Sequence, residues 1–316
     1  MKYESAVKDY ITNCCASGKS NNTIASYSRT LDFFHSFLAE TRVENVEDVT
    51  PVLLASWKAE SAKRLSPTSL RLYCTHLKGF FDFCTDIEYI PKSPYKKKLM
   101  EVAVKDTDRK NTTSHVLSKE QFRTIFTNEE PADMHRKSIK RNRAILALLI
   151  TSGIRCESLC RLTFRDLNRE EKTIRVHNAK GGKNGEILFS DIAAEAVLDY
   201  ISSYYRGYNF PSDDPLFGFV DGNGIWTPYC REQMSAIVEA AVRGFTGERG
   251  FRAHAMRHTC ASLLSAGGMM DGEISKLLMH SDGTGAQVTN RYIERDNRKL
   301  FEKANEIFNR ILSTQG

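Results

Sequence analysis

The chain has 316 residues, 41% of them hydrophobic and 27% charged, with a formal net charge of +6. That length exceeds one ordinary domain and suits two, and no run of about 18 apolar residues marks a transmembrane helix. The opening MKYESAVKDY lacks the apolar stretch of an export signal, and the positive balance is compatible with nucleic acid without demanding it.

Residues 3–15 carry a weak helical pattern. A stronger one follows Ser20-Asn21-Asn22-Thr23, where Ile24, Tyr27, Leu31, Phe34 and Leu38 recur at three- and four-residue spacing. Ser20 or Asn22 is the expected cap. Thr50-Pro51 and Ser66-Pro67-Thr68 open two further helices, each with proline where its missing N–H sacrifices no bond. The second carries Leu70, Tyr73, Leu77, Phe80, Phe81 and Phe83. The two prolines of Ile90-Pro91-Lys92-Ser93-Pro94 close the module. Lys63, Arg64, Arg71 and Lys78 suit a DNA backbone or, equally, an ordinary charged surface. The predicted first domain is residues 1–105, all helical, with a polar linker at 106–114 and a second domain at 115–316.

Ser118 and Gln121 are spaced as a capping box at the start of the second domain. Residues 142–151, NRAILALLIT, predict a buried helix, and Gly153 suits the turn at its end. Arg155 opens the next helix; it either has a task of its own or pairs with Glu157 or Asp166. Alternating runs at 173–177 and 186–189 flank a glycine-rich turn, residues 178–185, and predict a hairpin displaying Lys180 and Lys183 at its tip. A tip lysine can reach a DNA groove and deliver a proton, or it can merely solubilise the turn. Residues 191–204 read as a helix, 211–228 as a loop, 230–242 as a helix and 244–250 as a loop.

Basic residues cluster at Lys92, Lys96, Lys97 and Lys98, and again at Arg136, Lys137, Lys140, Arg141 and Arg143. Either cluster could be a solvated face. The eight cysteines form no C-x-x-C pair and no zinc pattern, so they read as reduced cytosolic thiols. Residues 251–293 then gather His254, Arg257, His258, His280, Arg291 and Tyr292, cations and imidazoles ahead of a phenol. That grouping suits chemistry on a phosphate.

The runs TSGIRCESLCRLTFRDL, AKGGKNGEILF, HAMRHTCASLL, LLMHSD and TNRYI follow in this order, and Ser20 to Phe34 reads S-x-x-T-I-x-x-Y-x-x-x-L-x-x-F. Together they resemble the tyrosine recombinase (phage integrase) family over essentially the whole chain. The resemblance implies a mainly α fold. An N-terminal helical core-binding (SAM-like) bundle would precede an α+β catalytic domain with a small antiparallel sheet.

The implied activity is site-specific recombination, cleaving and rejoining DNA through a 3′-phosphotyrosine, with no cofactor and no metal. Carried over position by position, the catalytic residues are Arg155, Lys180, His254, Arg257, His280 and Tyr292, with His258 as structural support. The implied partners are double-stranded DNA recombination sites and a homo-tetramer on DNA, joined through the C-terminal helix. Accessory DNA-bending proteins are admitted; a membrane is not. The alternative for that helix, with Leu300, Phe301, Ala304, Ile307, Phe308 and Ile311 at helical spacing, is packing on its own core.

A cytoplasmic, nucleoid-associated location is expected, with no arm-binding domain ahead of the bundle. Integration or excision of a mobile element is the preferred role. A Xer-type chromosome or plasmid dimer resolvase, a type IB topoisomerase-like enzyme and an inactive DNA-binding regulator are the alternatives. Two departures from the family pattern stand out. Ser158 occupies a position where the family usually has an acid, and twelve residues separate His280 from Tyr292, with Gly283 and Gly285 between them. This interval reads as a longer flexible loop.

The residue types fit the chemistry. Arginines stay charged and fork onto phosphate oxygens, replacing the charge stabilisation that Mg²⁺ supplies elsewhere. Tyr292 must lose a proton as it attacks; His254 would accept it, His280 would donate to a non-bridging oxygen, and Lys180 would protonate the departing 5′-hydroxyl.

Overall fold

The computed structural model describes residues 1–103, 115–126, 131, 134–179, 183–204, 213–278 and 290–313. It divides into two compact units, Met1–Thr113 and Ser114–Gly316.

The first unit holds α1 (Tyr3–Ala16), α2 (Asn21–Thr41), α3 (Pro51–Ser61), α4 (Pro67–Asp86) and the short α5 (Lys97–Met100). Ser20, Thr50 and Ser66 each accept a hydrogen bond from the amide three residues on, satisfying donors that a helix start leaves unpaired. Ser20, not Asn22, is the cap of α2. Phe34, Trp57, Phe80 and Phe81 are fully buried at the centre, with Phe34 and Trp57 edge to face at 5.5 Å.

Packing does not stop at the two prolines. α4 has already ended at Asp86, before either proline, yet Ile90 and Met100 are still buried in the same core. Lys58 then reaches across to the carbonyls of Leu99 and Glu101. Arg64 pairs with Glu60 and Lys78 with Asp82. Among the described residues, Lys63 and Arg71 have no acidic partner.

The second unit runs α6 (Lys119–Phe126), α7 (Arg136–Ser152), α8 (Cys156–Cys160), β1 (Leu167–Asn168), β2 (Thr173–Ala179), β3 (Lys183–Leu188), α9 (Asp191–Tyr204), β4 (Gly218–Val220), β5 (Trp226–Pro228), α10 (Arg231–Thr246), α11 (Ala253–Ala266), α12 (Asp271–Leu277) and α13 (Asn290–Ser313). The Ser118 and Gln121 capping box forms in both directions, at 3.2 and 2.9 Å. Residues 144–150 of α7 are fully buried, because α9, α10 and α11 all pack around this helix. A helix apolar on every side belongs in such a place. Three cations at the polar end of α7 are engaged in this packing rather than displayed. Lys140 pairs with Asp199 at 2.5 Å, Arg141 donates to Tyr229 Oη at 3.0 Å, and Arg143 donates to the Ile125 carbonyl at 3.0 Å.

β1, β2 and β3 form an antiparallel sheet with Ile174 opposite Ile187, and the ladder shifts register between Val176 and Ala179. The strands reach farther than expected. Lys183 is the first residue of β3 and pairs with Ala179, not part of a wide turn. Residues 211–228, expected as a loop, include the β4–β5 hairpin. The helix expected at 230–242 continues to Thr246. Gly244 lies inside it, where a Cβ would collide with the Met134 side chain.

The C-terminal helix packs in the single chain as the alternative reading of its apolar stripe expected. Leu300, Phe301, Ala304, Ile307, Phe308 and Ile311 of α13 are buried in the core of their own unit, against α6, α9, α11 and α12. Polar bonds fix this seat. Asn305 and Asn309 donate to Asp191 at 2.7 and 3.1 Å, Lys303 pairs with Glu273 at 2.7 Å, and Arg123 donates to the Ile311 carbonyl at 2.8 Å. In the single chain the helix thus closes on its own domain.

Candidate active site

The turn after α7 sets the first arginine. Gly153 has φ +62°, a region that L side chains rarely adopt, and a Cβ there would collide with Leu278. The chain reverses at this point and places Arg155 as the N-cap residue of α8. The bland pairing for Arg155 does not occur. Glu157 is taken by Arg161 at 2.7 Å. Asp166 is taken by the Thr163 amide and hydroxyl at 2.9 and 2.8 Å and by His177 at 2.7 Å. Among the described residues no carboxylate neutralises Arg155.

Arg257 lies on α11 and is buried. Its guanidinium donates to the carbonyl of Gly153 from one nitrogen and to that of Leu278 from the other. Two backbone carbonyls thus fix the plane of the fork, and N–H groups remain for an incoming anion. Burial, together with the charge of Arg155, pushes Arg257 down to about 10. Among the described residues no carboxylate answers these two mutually repelling guanidinium groups, an arrangement that suits a phosphate.

His254 stands one turn before Arg257 on α11, a spacing that puts both on one face. It is held below the usual histidine range, first by desolvation, then by the His258 imidazole and the charges of Arg257, Arg231 and Arg155. It is therefore neutral at physiological pH, the form that accepts a proton. The His258 ring meets it edge to face at 4.6 Å. Thr259 faces the other way, accepting from the Leu117 amide at 3.1 Å and anchoring the start of the unit to α11.

The structure thus brings together Arg155, His254 and Arg257, with His258 and Arg231 beside them. Lys180 and His280 lie outside the described residues, as does the interval before Asn290. Lys180 directly follows β2, and His280 lies two residues beyond Leu278, whose carbonyl holds Arg257. Tyr292 is on the first turn of α13, so the backbone at the phenol is helical.

Sequence reasoning missed Arg231, which its place in a loop-to-helix junction did not advertise. It also missed the Asp166–His177 pair and the two carbonyls that orient Arg257. Backbone acceptors leave no mark on a sequence. The carboxylate and histidine were visible, but their meeting depends on β2 packing against the turn at 164–166.

The chain belongs to the phage integrase family: the family's model matches residues 115–299, more than half of the chain, and the model of its N-terminal SAM-like domain matches residues 9–87. The curated tyrosine recombinase XerC of Bacillus pumilus is 24% identical over 280 residues, covering 88% of each chain. A lambda integrase(75-356) dimer bound to a COC′ core site superposes with a TM-score of 0.65 at 16% identity, covering 92% of this chain and 98% of that one. The Tn1549 transposon integrase, in complex with a circular intermediate DNA, gives 0.62 at 20% identity, with 93% and 99% covered. No helix among the described residues is long and apolar enough to cross a membrane.

Proposed function

We propose that the chain is a site-specific DNA recombinase that breaks and rejoins strands through a 3′-phosphotyrosine on Tyr292. The observation that carries this reading is the pair Arg155 and Arg257, close enough for one charge to depress the other, with Arg257 oriented by two carbonyls. In the proposed step the Tyr292 oxygen attacks the phosphorus, the bond to the 5′-oxygen breaks, and the arginines take the charge that grows on the non-bridging oxygens. Neutral His254 accepts the phenol proton, and Lys180 protonates the leaving 5′-hydroxyl. His280 donates to a non-bridging oxygen. A 5′-hydroxyl of another strand reverses the step, so no external energy source is needed.

The first unit would hold the DNA core site with the second, and four protomers would exchange strands. A lambda integrase tetramer bound to a Holliday junction shares the fold, with a TM-score of 0.64. For α13 to link protomers, its far half would have to leave the groove it fills in the single chain.

Integration or excision of a mobile element is our preferred role, in keeping with the fold shared with the phage and transposon integrases. A Xer-type resolvase is the second reading, favoured by the near full-length likeness to XerC. Trapping the covalent complex on genomic DNA and sequencing the cleaved ends decides between them. Ends at the borders of an inserted element support the first, and one fixed chromosomal site supports the second. If Tyr292→Phe still forms the adduct, the proposed nucleophile is wrong.

A further inference from the structure

Three thiols gather where α8 meets the start of α10. Cys156 and Cys160 stand at the two ends of α8, four residues apart and so on one face. Cys156 is half-buried and its thiol points at the Arg231 carbonyl, 3.8 Å from sulfur to oxygen. Cys160 is buried. Cys230 caps α10, its sulfur accepting from the Gln233 amide at 3.5 Å. The proposed strand chemistry uses none of them, yet Cys156 directly follows Arg155.

We propose that Cys156 is a peroxide-reactive thiol that closes a disulfide with Cys160 and thereby displaces Arg155. The Cys160 S–H directed at Cys156 holds Cys156 below the usual thiol range; burial opposes this and the Arg231 charge assists it. Cys160 is pushed well up, so it stays protonated until its partner has reacted. This division of labour is that of an attacking and a resolving thiol.

The reaction balances in two steps. The Cys156 thiolate attacks one oxygen of hydrogen peroxide, giving a sulfenic acid and hydroxide. The Cys160 sulfur then displaces the sulfenic hydroxyl, which leaves as water with the Cys160 proton. Overall, two thiols and one peroxide become one disulfide and two waters. Peroxide is the only oxidant required.

Geometry couples this bond to the site. Side chains four apart on a helix have Cβ atoms roughly 5–6 Å apart, whereas a disulfide needs about 3.5–4.5 Å. Closing the bond therefore draws the ends of α8 together by roughly 1–2 Å. The N-cap of that helix is Arg155. A misplacement of about 1 Å in a catalytic group can lower a rate on the order of a hundredfold.

The coupling to cleavage rests on Arg155 being a phosphate-binding group, whereas the disulfide does not. The full chain is treated with hydrogen peroxide, mapped by peptide mass spectrometry and assayed for DNA cleavage before and after dithiothreitol. The expected result is a Cys156–Cys160 crosslink, a loss of cleavage on the order of a hundredfold, and recovery on reduction. Cys156→Ser should cleave as the reduced wild type does and ignore peroxide. Cys160→Ser should stop at a sulfenic acid that dimedone captures at Cys156. A crosslink to Cys230 instead, no crosslink at all, or a Cys156→Ser protein as peroxide-sensitive as the wild type would overturn the proposal. A reduced wild type that cannot cleave would count against the recombinase reading alone, since the crosslink is scored separately.

Discussion

Asp166 is buried and takes the Nε2 hydrogen of His177 at 2.7 Å, tying β2 to the turn that follows α8. Burial works to raise this carboxyl, but the Thr163 amide and hydroxyl and His177 hold it below the usual range. It is therefore ionised at neutral pH and can serve as the fixed acceptor. In sequence Lys180 is three residues beyond His177, so the pair fixes β2 shortly before it.

Asp166→Asn should weaken a charge-assisted bond worth about 1.5–3 kcal/mol and slow cleavage by loosening the approach of Lys180. The check is a substrate with sulfur at the bridging 5′ position, whose thiolate leaves without a proton. The mutant should be restored to near wild-type rates on that substrate. A defect of equal size on both substrates would assign Asp166 to general folding instead.

Gly153→Ala should damage fold and site together. Left-handed backbone costs a non-glycine residue about 1–2 kcal/mol, and forcing a methyl into packed space about 1–3, so a loss of roughly 2–5 kcal/mol is expected. Arg257→Lys, by contrast, should leave the fold measurable but lower cleavage roughly 100- to 1,000-fold, because an ammonium cannot hold both carbonyls and a phosphate fork at once. Denaturation midpoints and single-turnover cleavage on suicide substrates separate the two effects.

His254 is depressed below the ordinary histidine value, so its neutral form persists as pH falls. Cleavage should hold through about pH 6.5, where a free histidine would be half protonated, and decline only below it. His254→Gln should be slower at neutral pH and lose that acid limb. An unchanged limb in the mutant would move the general base elsewhere.

His76 makes the same sign testable as stability. It is buried, with Nδ1 2.8 Å from Thr30 Oγ1, and burial lowers it. A folded value below the unfolded one means stability is present above the unfolded value, near 6.5, and is lost as pH falls toward the folded value. The two tryptophans fall one to each unit, Trp57 and Trp226. In a Trp226→Phe background, Trp57 fluorescence under denaturant should show the first unit weakening below about pH 6.5. His76→Gln should flatten that slope.

Much of the fold was legible because strong periodicity and caps coincide. The helix at 191–204, the capping box at Ser118 and the helix starts at Thr50-Pro51 and Ser66-Pro67 were readable, and Ser20 was one of two candidate caps. The β4–β5 hairpin was not, since three-residue strands amid Gly, Asp and Pro give too few alternations to register. The seat of α13 was underdetermined, because an apolar stripe fits its own core as well as a neighbour's. Here five large side chains, at about 1.5–3 kcal/mol each, amount to roughly 7–15 kcal/mol, comparable to the whole stability of a domain. Cutting the chain near Arg298 would therefore be expected to unfold the second unit. Any test of assembly needs α13 intact.

Gly153 has the least chemistry of any residue in the first motif, yet three demands converge on it. Its backbone sign, its missing Cβ against Leu278 and its carbonyl under Arg257 are independent requirements. In a library randomised across positions 153–158 and selected for recombination, Gly153 would resist exchange as firmly as Arg155. Ser158, which takes no part in the proposed step, would be free to drift, while the residue with no side chain would not.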